Sequence, residues 1–387
     1  DEQTATSKVP IFKSYNHKDL LFYTKGSRED RWTSVKTAAK ELMDNPLGHS
    51  IPSFGGEGLT TEEKADKIWK FFLQDSPDHI FSRYFIDTKD ESGTKMPIFN
   101  GPSGYHAWGG NTPVQDVVDA FLMEDGSKFD WSNPEHAKAP YKNREPRFYA
   151  TILHDGMQWI QRPADYAVEE PTGRIQTGYY QLEPGSDDMY AGMDTRDGGG
   201  ENWNGTYTGY YLKKFINPAE GDHRNKINAV FPFIRLTEVY YTYIEACIEL
   251  NDLTEAKKYL NDIRKNLNLP EVTTNDQDEL RRIFQNDKRL DFYFEEHRYW
   301  DLRRWMIAPD APGLNSLNGI RVTGRLKAGI PKQEKPTYDE DRWSYTYTVV
   351  PLLQENRKWV DKCYYLPIHR NEMQRNKNLI QNPGYSD

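Results

Sequence analysis

The chain has 387 residues, 36% of them hydrophobic and 28% charged, with a formal net charge of −9, so it can bury a large core yet stays polar for its size. A balance of 50 Lys and Arg against 59 Asp and Glu argues against a phosphate-tracking surface and so against a nucleic-acid partner, while 27 Gly and 23 Pro exclude collagen-like and low-complexity chains. No uninterrupted apolar run reaches the length of a membrane span, and two cysteines, Cys247 and Cys363, can build neither a disulfide framework nor a cysteine metal site.

The chain opens Asp1-Glu2-Gln3-Thr4 without an initiator Met, a signal sequence or a lipid-attachment Cys, so its start is expected to be internal to a longer precursor. The first predicted helix begins in Asp30-Arg31-Trp32-Thr33, with Thr33 or Ser34 as its cap, and continues through Val35, Ala38, Ala39 and Leu42. A second spans residues 60–74, opened by Thr61-Glu62-Glu63 and carrying Ile68, Phe71 and Phe72 on its apolar side. A third covers 114–123, with Pro113 at its first turn and Gly126 just past its end. Alternating β-branched and aromatic residues predict minor strands near 147–153 and 344–350.

The clearest periodicity lies further on. Leu236, Val239, Tyr240, Tyr243, Ile244, Cys247 and Leu250 recur at helical spacing. After an Asn251-Asp252 break, Leu253, Ala256, Tyr259, Leu260, Ile263 and Leu267 repeat the pattern up to Pro270. So short a turn makes the two helices an antiparallel pair, as in a tetratricopeptide-type hairpin. A longer helix is predicted over 276–305, with Leu280, Ile283, Phe284, Leu290 and Phe294 on its buried stripe. The expected fold is therefore mainly α, with tetratricopeptide-like hairpins, a few short strands and long irregular connections at 99–113, 155–211 and 309–351.

Within that last predicted helix the run Asp287-Lys288-Arg289-Leu290-Asp291-Phe292-Tyr293-Phe294-Glu295-Glu296-His297-Arg298-Tyr299-Trp300-Asp301-Leu302-Arg303-Arg304-Trp305 resembles the signature helix of the SusD/RagB family, the nutrient-binding outer-membrane lipoproteins of Bacteroidetes. Other blocks agree in order: Asn111-Thr112-Pro113 leading to Val117-Val118-Asp119-Ala120-Phe121, Tyr141 to Phe148, Thr208 to Phe215, Ile234 to Val239 with Glu245-Ala246, and Tyr365-Leu366-Pro367-Ile368 with Gln381-Asn382-Pro383-Gly384-Tyr385. The chain departs from the family pattern at Asp287, Lys288 and Asp291, where Glu, Arg and Glu are more usual, and at Glu296, where Gly is common. The resemblance implies one SusD/RagB-like domain over 1–387 that lacks the usual N-terminal helical-repeat part, which another chain could supply. It divides into a helical scaffold at 30–98, a loop-rich ligand layer at 99–233, a hairpin with the signature helix at 234–306, and a loop excursion with the C-terminal segment at 307–387.

Catalytic readings of the charged residues are weaker than structural ones. Asp291 and Glu295 stand four apart, and paired carboxylates are what glycosidic hydrolysis requires, yet Arg289, Arg298, Arg303 and Arg304 nearby would hold both ionised and leave no proton donor. An ion-pair network is the expected role. His297 and His369 belong to no spaced ligand pair, and Asp187, Asp188, Asp194, Asp197 and Glu201 lack the order of a calcium loop, so no metal and no cofactor is expected. Cys247 falls on an apolar helical face as an inert thiol.

The 10 Trp, 25 Tyr and 17 Phe carry the functional signal, because they make up 13% of the chain while branched aliphatics are sparse. Sugars present flat C–H faces between hydroxyls, so a protein that holds them unchanged needs exposed rings beside amide partners. Tyr105, Trp108 and Asn111 offer that combination around the Gly-rich run 101–110, as do Asn202 and Trp203 in a second Gly-rich loop; Trp131 and Trp159 complete the candidate ligand-binding set. Trp32, Tyr240, Tyr243, Trp300 and Trp305 sit on helical stripes and are expected in the core. The family resemblance implies capture of an oligosaccharide or polysaccharide at the cell surface and its delivery, unchanged, to a SusC-like TonB-dependent outer-membrane transporter, with a lipid anchor in the full-length precursor. Peptide capture within the same family and glycoside hydrolysis are the alternatives.

Overall fold

The structure, a computed structural model, describes residues 1–54, 58–217, 223–311, 314 and 316–386. Helices dominate it, and the labels used here cover those that build the scaffold: α1 (Arg28–Asp44), α2 (Thr61–Phe71), α3 (Leu236–Glu249), α4 (Leu253–Asn266), α5 (Gln277–Asp291) and α6 (His297–Arg304). The strands that matter are β1 (His79–Phe85), β2 (Ala229–Arg235), β3 (Asn318–Leu326) and β4 (Trp343–Pro351).

The expected hairpin is present. α3 and α4 pack on each other across Asn251, whose φ of 60° turns the chain, and Asp252 then caps α4 by accepting from the Glu255 amide. α1 lies against α3, and α5 packs on both hairpin helices, giving the layered arrangement of a tetratricopeptide-like scaffold. Their apolar stripes meet in one cluster that includes Ile68, Phe71, Ile244, Ile248, Leu260 and Phe284. Cys247 is fully buried within it.

The helix expected over 114–123 is only Gln115–Ala120, with Val114 rather than Pro113 at its start, and three further boundaries differ from the sequence reading for a physical reason. α1 starts at Arg28, because the Ser27 side chain accepts from the Asp30 amide; Thr33 and Ser34 are interior to the helix, and Ser34 returns its hydroxyl to the Asp30 carbonyl. Residues 147–151 are not strand: Pro146 opens a short helix, Pro146–Thr151, and only Ile152–Leu153 pairs in a ladder, with Tyr211–Leu212. The predicted helix 276–305 is two helices, because the chain turns through Phe294 (φ 62°) and Glu296 (φ 65°) to drive Glu295 inward. Glu296 thus occupies the left-handed conformation that favours glycine, which accounts for Gly being common there in the family pattern.

The connection 309–351 proves to contain the longest ladder, since β3 and β4 pair in antiparallel register from Asn318 opposite Pro351 to Leu326 opposite Trp343. Only the 344–350 half of that ribbon showed in the sequence as alternation. β1 and β2 form a second antiparallel pair, irregular around Phe81. Among the stripe aromatics, Tyr243 is buried, whereas Trp32, Tyr240 and Trp305 are half-buried and Trp300 is 63% exposed; the helix break before α6 turns Trp300 away from the core it was expected to join. No helix of the described residues is long and apolar enough to cross a membrane.

Candidate functional site

Two loops meet to form a groove. The first follows the short helix Met96–Asn100 and folds back on it: the Trp108 amide donates to the Ile98 carbonyl at 2.7 Å and the Gly110 amide to the Phe99 carbonyl at 2.7 Å. This sets the Trp108 indole against the Phe99 ring, with centroids 5.2 Å apart. Gly109, at φ 53°, lies so close to the second loop that a Cβ there would stand 2.7 Å from the Asn204 carbonyl oxygen. At Gly109 the glycine-rich run therefore serves the approach of one loop to another.

The second loop carries the turn Asn202–Asn204. Arg196 holds it, donating from Nη1 to the carbonyls of Trp203 and Gly205, both at 3.1 Å, while its guanidinium lies 3.9 Å from the centroid of the Tyr207 ring. Asn111 is fixed at the end of the first loop by donating to the Asn100 side chain at 2.7 Å. Trp108, Asn111, Arg196, Trp203 and Tyr207 line one groove of about 460 Å³, together with Leu317 and Leu352 at the base of the β3–β4 ribbon. Trp108 is 47% and Trp203 68% exposed, so both indoles keep a face in solvent.

The other candidates separate. Tyr105 is fully buried, its hydroxyl donating to the carbonyls of Ile160 and Gly173, with the Arg162 guanidinium over its ring. Trp159 is also buried and donates to His223. These two rings anchor the loop layer and offer no face to a ligand. Trp131 is half-buried and donates to Asp119 at 3.1 Å, away from the groove. Asn202 is exposed on the Trp203 turn without lining the groove. Arg196 and Tyr207 escaped the sequence reading. The signal available was Arg196 opening the Gly-rich run that leads to Trp203.

The carboxylates of the signature segment are held in ion pairs, though not by the arginines the sequence suggested. Asp291 accepts from Arg147 at 3.1 Å and from the Tyr241 hydroxyl. Glu295 binds Arg235 at 2.7 Å and Lys214 at 2.7 Å; burial alone would raise its pKa, but those two cations outweigh burial and hold the carboxyl below its ordinary range. Arg304 instead pairs with Glu245, and Arg303 donates to the Cys363 carbonyl. His297 packs on Phe292, and burial pushes its pKa down to about 4; His369 caps the short helix that follows it. Of the acidic loop, Asp194 pairs with the buried Arg162, Asp197 accepts from the Tyr179 hydroxyl, and Glu201 accepts from Asn204, so these acids do not face a common centre.

A helical scaffold thus presents an open, aromatic-walled groove on irregular loops. The SusD family model matches residues 77–385, and the chain belongs to the SusD family. Among solved structures it is similar to a SusD-like protein of Bacteroides fragilis, 26% identical, with 99% of this chain and 69% of that one covered and a TM-score of 0.66. It is also similar to a SusD-like carbohydrate-binding protein of Bacteroides fragilis (21% identical, 91% and 62% covered, TM-score 0.60) and to surface glycan-binding protein A of Bacteroides thetaiotaomicron (17% identical, 92% and 60% covered, TM-score 0.51). The last two likenesses speak to the fold. The chain spans 60 to 69% of the length of these three relatives. No curated protein matches it.

Proposed function

We propose that this protein captures an oligosaccharide at the cell surface and hands it, chemically unchanged, to a TonB-dependent outer-membrane transporter. The observation that carries the reading is the convergence of two solvent-facing indoles, Trp108 and Trp203, from separate loops into one groove with the Asn111 amide and the Arg196 guanidinium. Indole faces suit the C–H faces of a pyranose, and the polar groups suit its hydroxyls. The volume of about 460 Å³ falls in the range of small-ligand sites. Hydrolysis by the usual mechanism calls for two facing carboxylates. Among the described residues lining the groove Glu355 alone is acidic, and Arg357 takes its carboxylate at 2.8 Å. Hand-over further requires a ligand held loosely enough to leave, hence a fast off-rate. Membership of the SusD family supports both the transporter as partner and attachment to the outer membrane on its cell-surface side.

Titrating tryptophan fluorescence with an oligosaccharide panel tests this directly. An oligosaccharide that stacks in the groove will shift the emission, and Trp108→Ala with Trp203→Ala will weaken its binding by at least about tenfold, ~1.4 kcal/mol, while leaving the circular dichroism spectrum intact. Unchanged affinity in the double variant sinks the groove; a flat response across the panel together with binding of peptides moves the ligand class to peptide. Release of new reducing ends on incubation would make the protein a hydrolase.

A further inference from the structure

We infer that the protein has a second carbohydrate subsite, specific for a neutral oligosaccharide, in the large tyrosine-lined cavity between the β3–β4 ribbon and residues 138–156. This inference rests on the glycan-capture reading and extends it. The cavity measures about 1020 Å³, more than twice the groove, and is lined by Tyr141, Tyr338, Tyr345 and Tyr347. A concavity of this size lies at the upper end of the range of small-ligand sites.

Its walls are arranged by identifiable contacts. Tyr345 and Tyr347 lie two apart on β4 and so share one face of the ribbon. Tyr338 stacks on Tyr345, with centroids 4.6 Å apart and planes 18° from parallel. It can do so because Gly156, at φ +78°, has no Cβ, which would otherwise stand 2.3 Å from the Tyr338 ring. Tyr141 meets Tyr347 edge-on at 5.3 Å. Tyr141 is itself buried and stacks on His154, so it backs the wall, and the half-buried Tyr338, Tyr345 and Tyr347 supply the ring surface that a sugar's C–H groups can meet.

The polar groups define the ligand's charge. Glu340 accepts from Lys142 at 2.8 Å and from the Tyr338 hydroxyl at 3.0 Å, and Arg174 donates to the Gly156 carbonyl at 2.7 Å while lying beside the Tyr338 ring. Neighbouring hydroxyls of a sugar match a carboxylate–ammonium pair, donating to one and accepting from the other. Of the lining charges, Lys138, Lys142, Arg174 and Lys327 stand against Glu62, Asp339 and Glu340, with the buried Asp155 titrating only near pH 7, so an anionic ligand gains little net attraction.

The cavity and the groove share the β3–β4 ribbon. Leu352, beside the groove, follows Tyr347, beside the cavity, by five residues, which is roughly 17 Å of strand. Five residues is an odd step, so the two side chains lie on opposite faces of the ribbon and the cavity and the groove take separate ligand molecules.

Calorimetry with malto-, cello-, xylo- and mannooligosaccharides of three and eight units, and with oligogalacturonate, tests the inference on the intact chain. For the oligomer that binds, the trimer and the octamer are each expected to occupy two independent sites. Tyr338→Ala, and separately the near-isosteric Glu340→Gln, should remove one of the two sites, with folding checked by circular dichroism. A single trimer site, abolished by Trp108→Ala with Trp203→Ala and untouched by Tyr338→Ala and Glu340→Gln, overturns the second subsite while glycan capture stands. Absence of binding by every probe overturns both. Preferential binding of oligogalacturonate that Tyr338→Ala removes overturns the neutral specificity.

Discussion

His154 and Asp155 are adjacent, both buried, and burial moves their protonation in opposite directions. Burial pushes the His154 pKa down from 6.5 to about 4 and that of Asp155 up from 3.8 to about 7, the Gly178 amide on the Asp155 carboxylate offsetting only part of the effect. Between pH 4 and 7 the folded Asp155 keeps a proton that the unfolded chain has lost, so its contribution to stability falls as pH rises. Between pH 4 and 6.5 the unfolded His154 binds a proton that the folded one refuses, so its contribution rises. The two nearly cancel in the native protein. Asp155→Asn removes the falling component while an amide can still accept from Gly178. Relative to the native chain, this variant should gain stability as pH climbs from 4 to 7, by on the order of 4 kcal/mol for a displacement of this size. Urea midpoints at successive pH values measure it, and a difference that stays flat would show that the Asp155 carboxyl ionises normally.

At the level of elements, buried ion pairs stitch the loop layer to the helical scaffold. Arg235 at the end of β2 bridges Asp78 at 2.8 Å and Glu295 at 2.7 Å, and Lys214 from the loop layer joins at Glu295. Arg147, at the start of its short helix, spans Glu145, Asp287 and Asp291, and Arg264 on α4 completes the Asp287 pair at 2.7 Å. Taking one partner from such a site leaves an uncompensated buried charge, which costs more than the pair itself contributes. Glu295→Gln, which leaves Arg235 and Lys214 facing a neutral amide, should lower stability by about 3 to 5 kcal/mol in chemical denaturation. A loss below about 1 kcal/mol would mean that the cations find other partners or water. This network also explains the divided signature helix: the turn between α5 and α6 exists to deliver Glu295 to two cations that lie 60 and 81 residues away in sequence.

Over the whole molecule, the scaffold and the ligand layer differ in how they are held. α3 contributes Tyr241, Ile244, Cys247 and Ile248 to the main core, whereas the groove loops rest on turn hydrogen bonds and on side chains such as Arg196. Elements with few buried apolar contacts open locally at low cost. Hydrogen exchange should therefore be slowest in α3 and fast in residues 196–206, and a bound oligosaccharide should slow exchange at 108–112 and 196–208 while leaving α3 and α4 unaltered. Ligand protection spread evenly over the scaffold would argue against capture by the loops.

The helical layer was legible in the chain because an amphipathic helix declares itself through local spacing: the α3–α4 hairpin followed directly from Leu236 to Leu267, with Asn251 and Asp252 marking the turn. Ordered blocks, matched one by one, were enough to point to the family. Trp108 and Trp203 could be singled out as rings in Gly-rich loops, but nothing local told Trp108 from Tyr105, which sits in the same Gly-rich run and is buried in the structure. Likewise the partners of Asp291 and Glu295 were sought among nearby arginines and came instead from Arg147, Arg235 and Lys214. Periodicity and capping act over a few residues and are written in the chain itself; the exposure of a ring, the pairing of a buried charge and the meeting of two loops depend on segments many tens of residues apart, and only packing in three dimensions decides them.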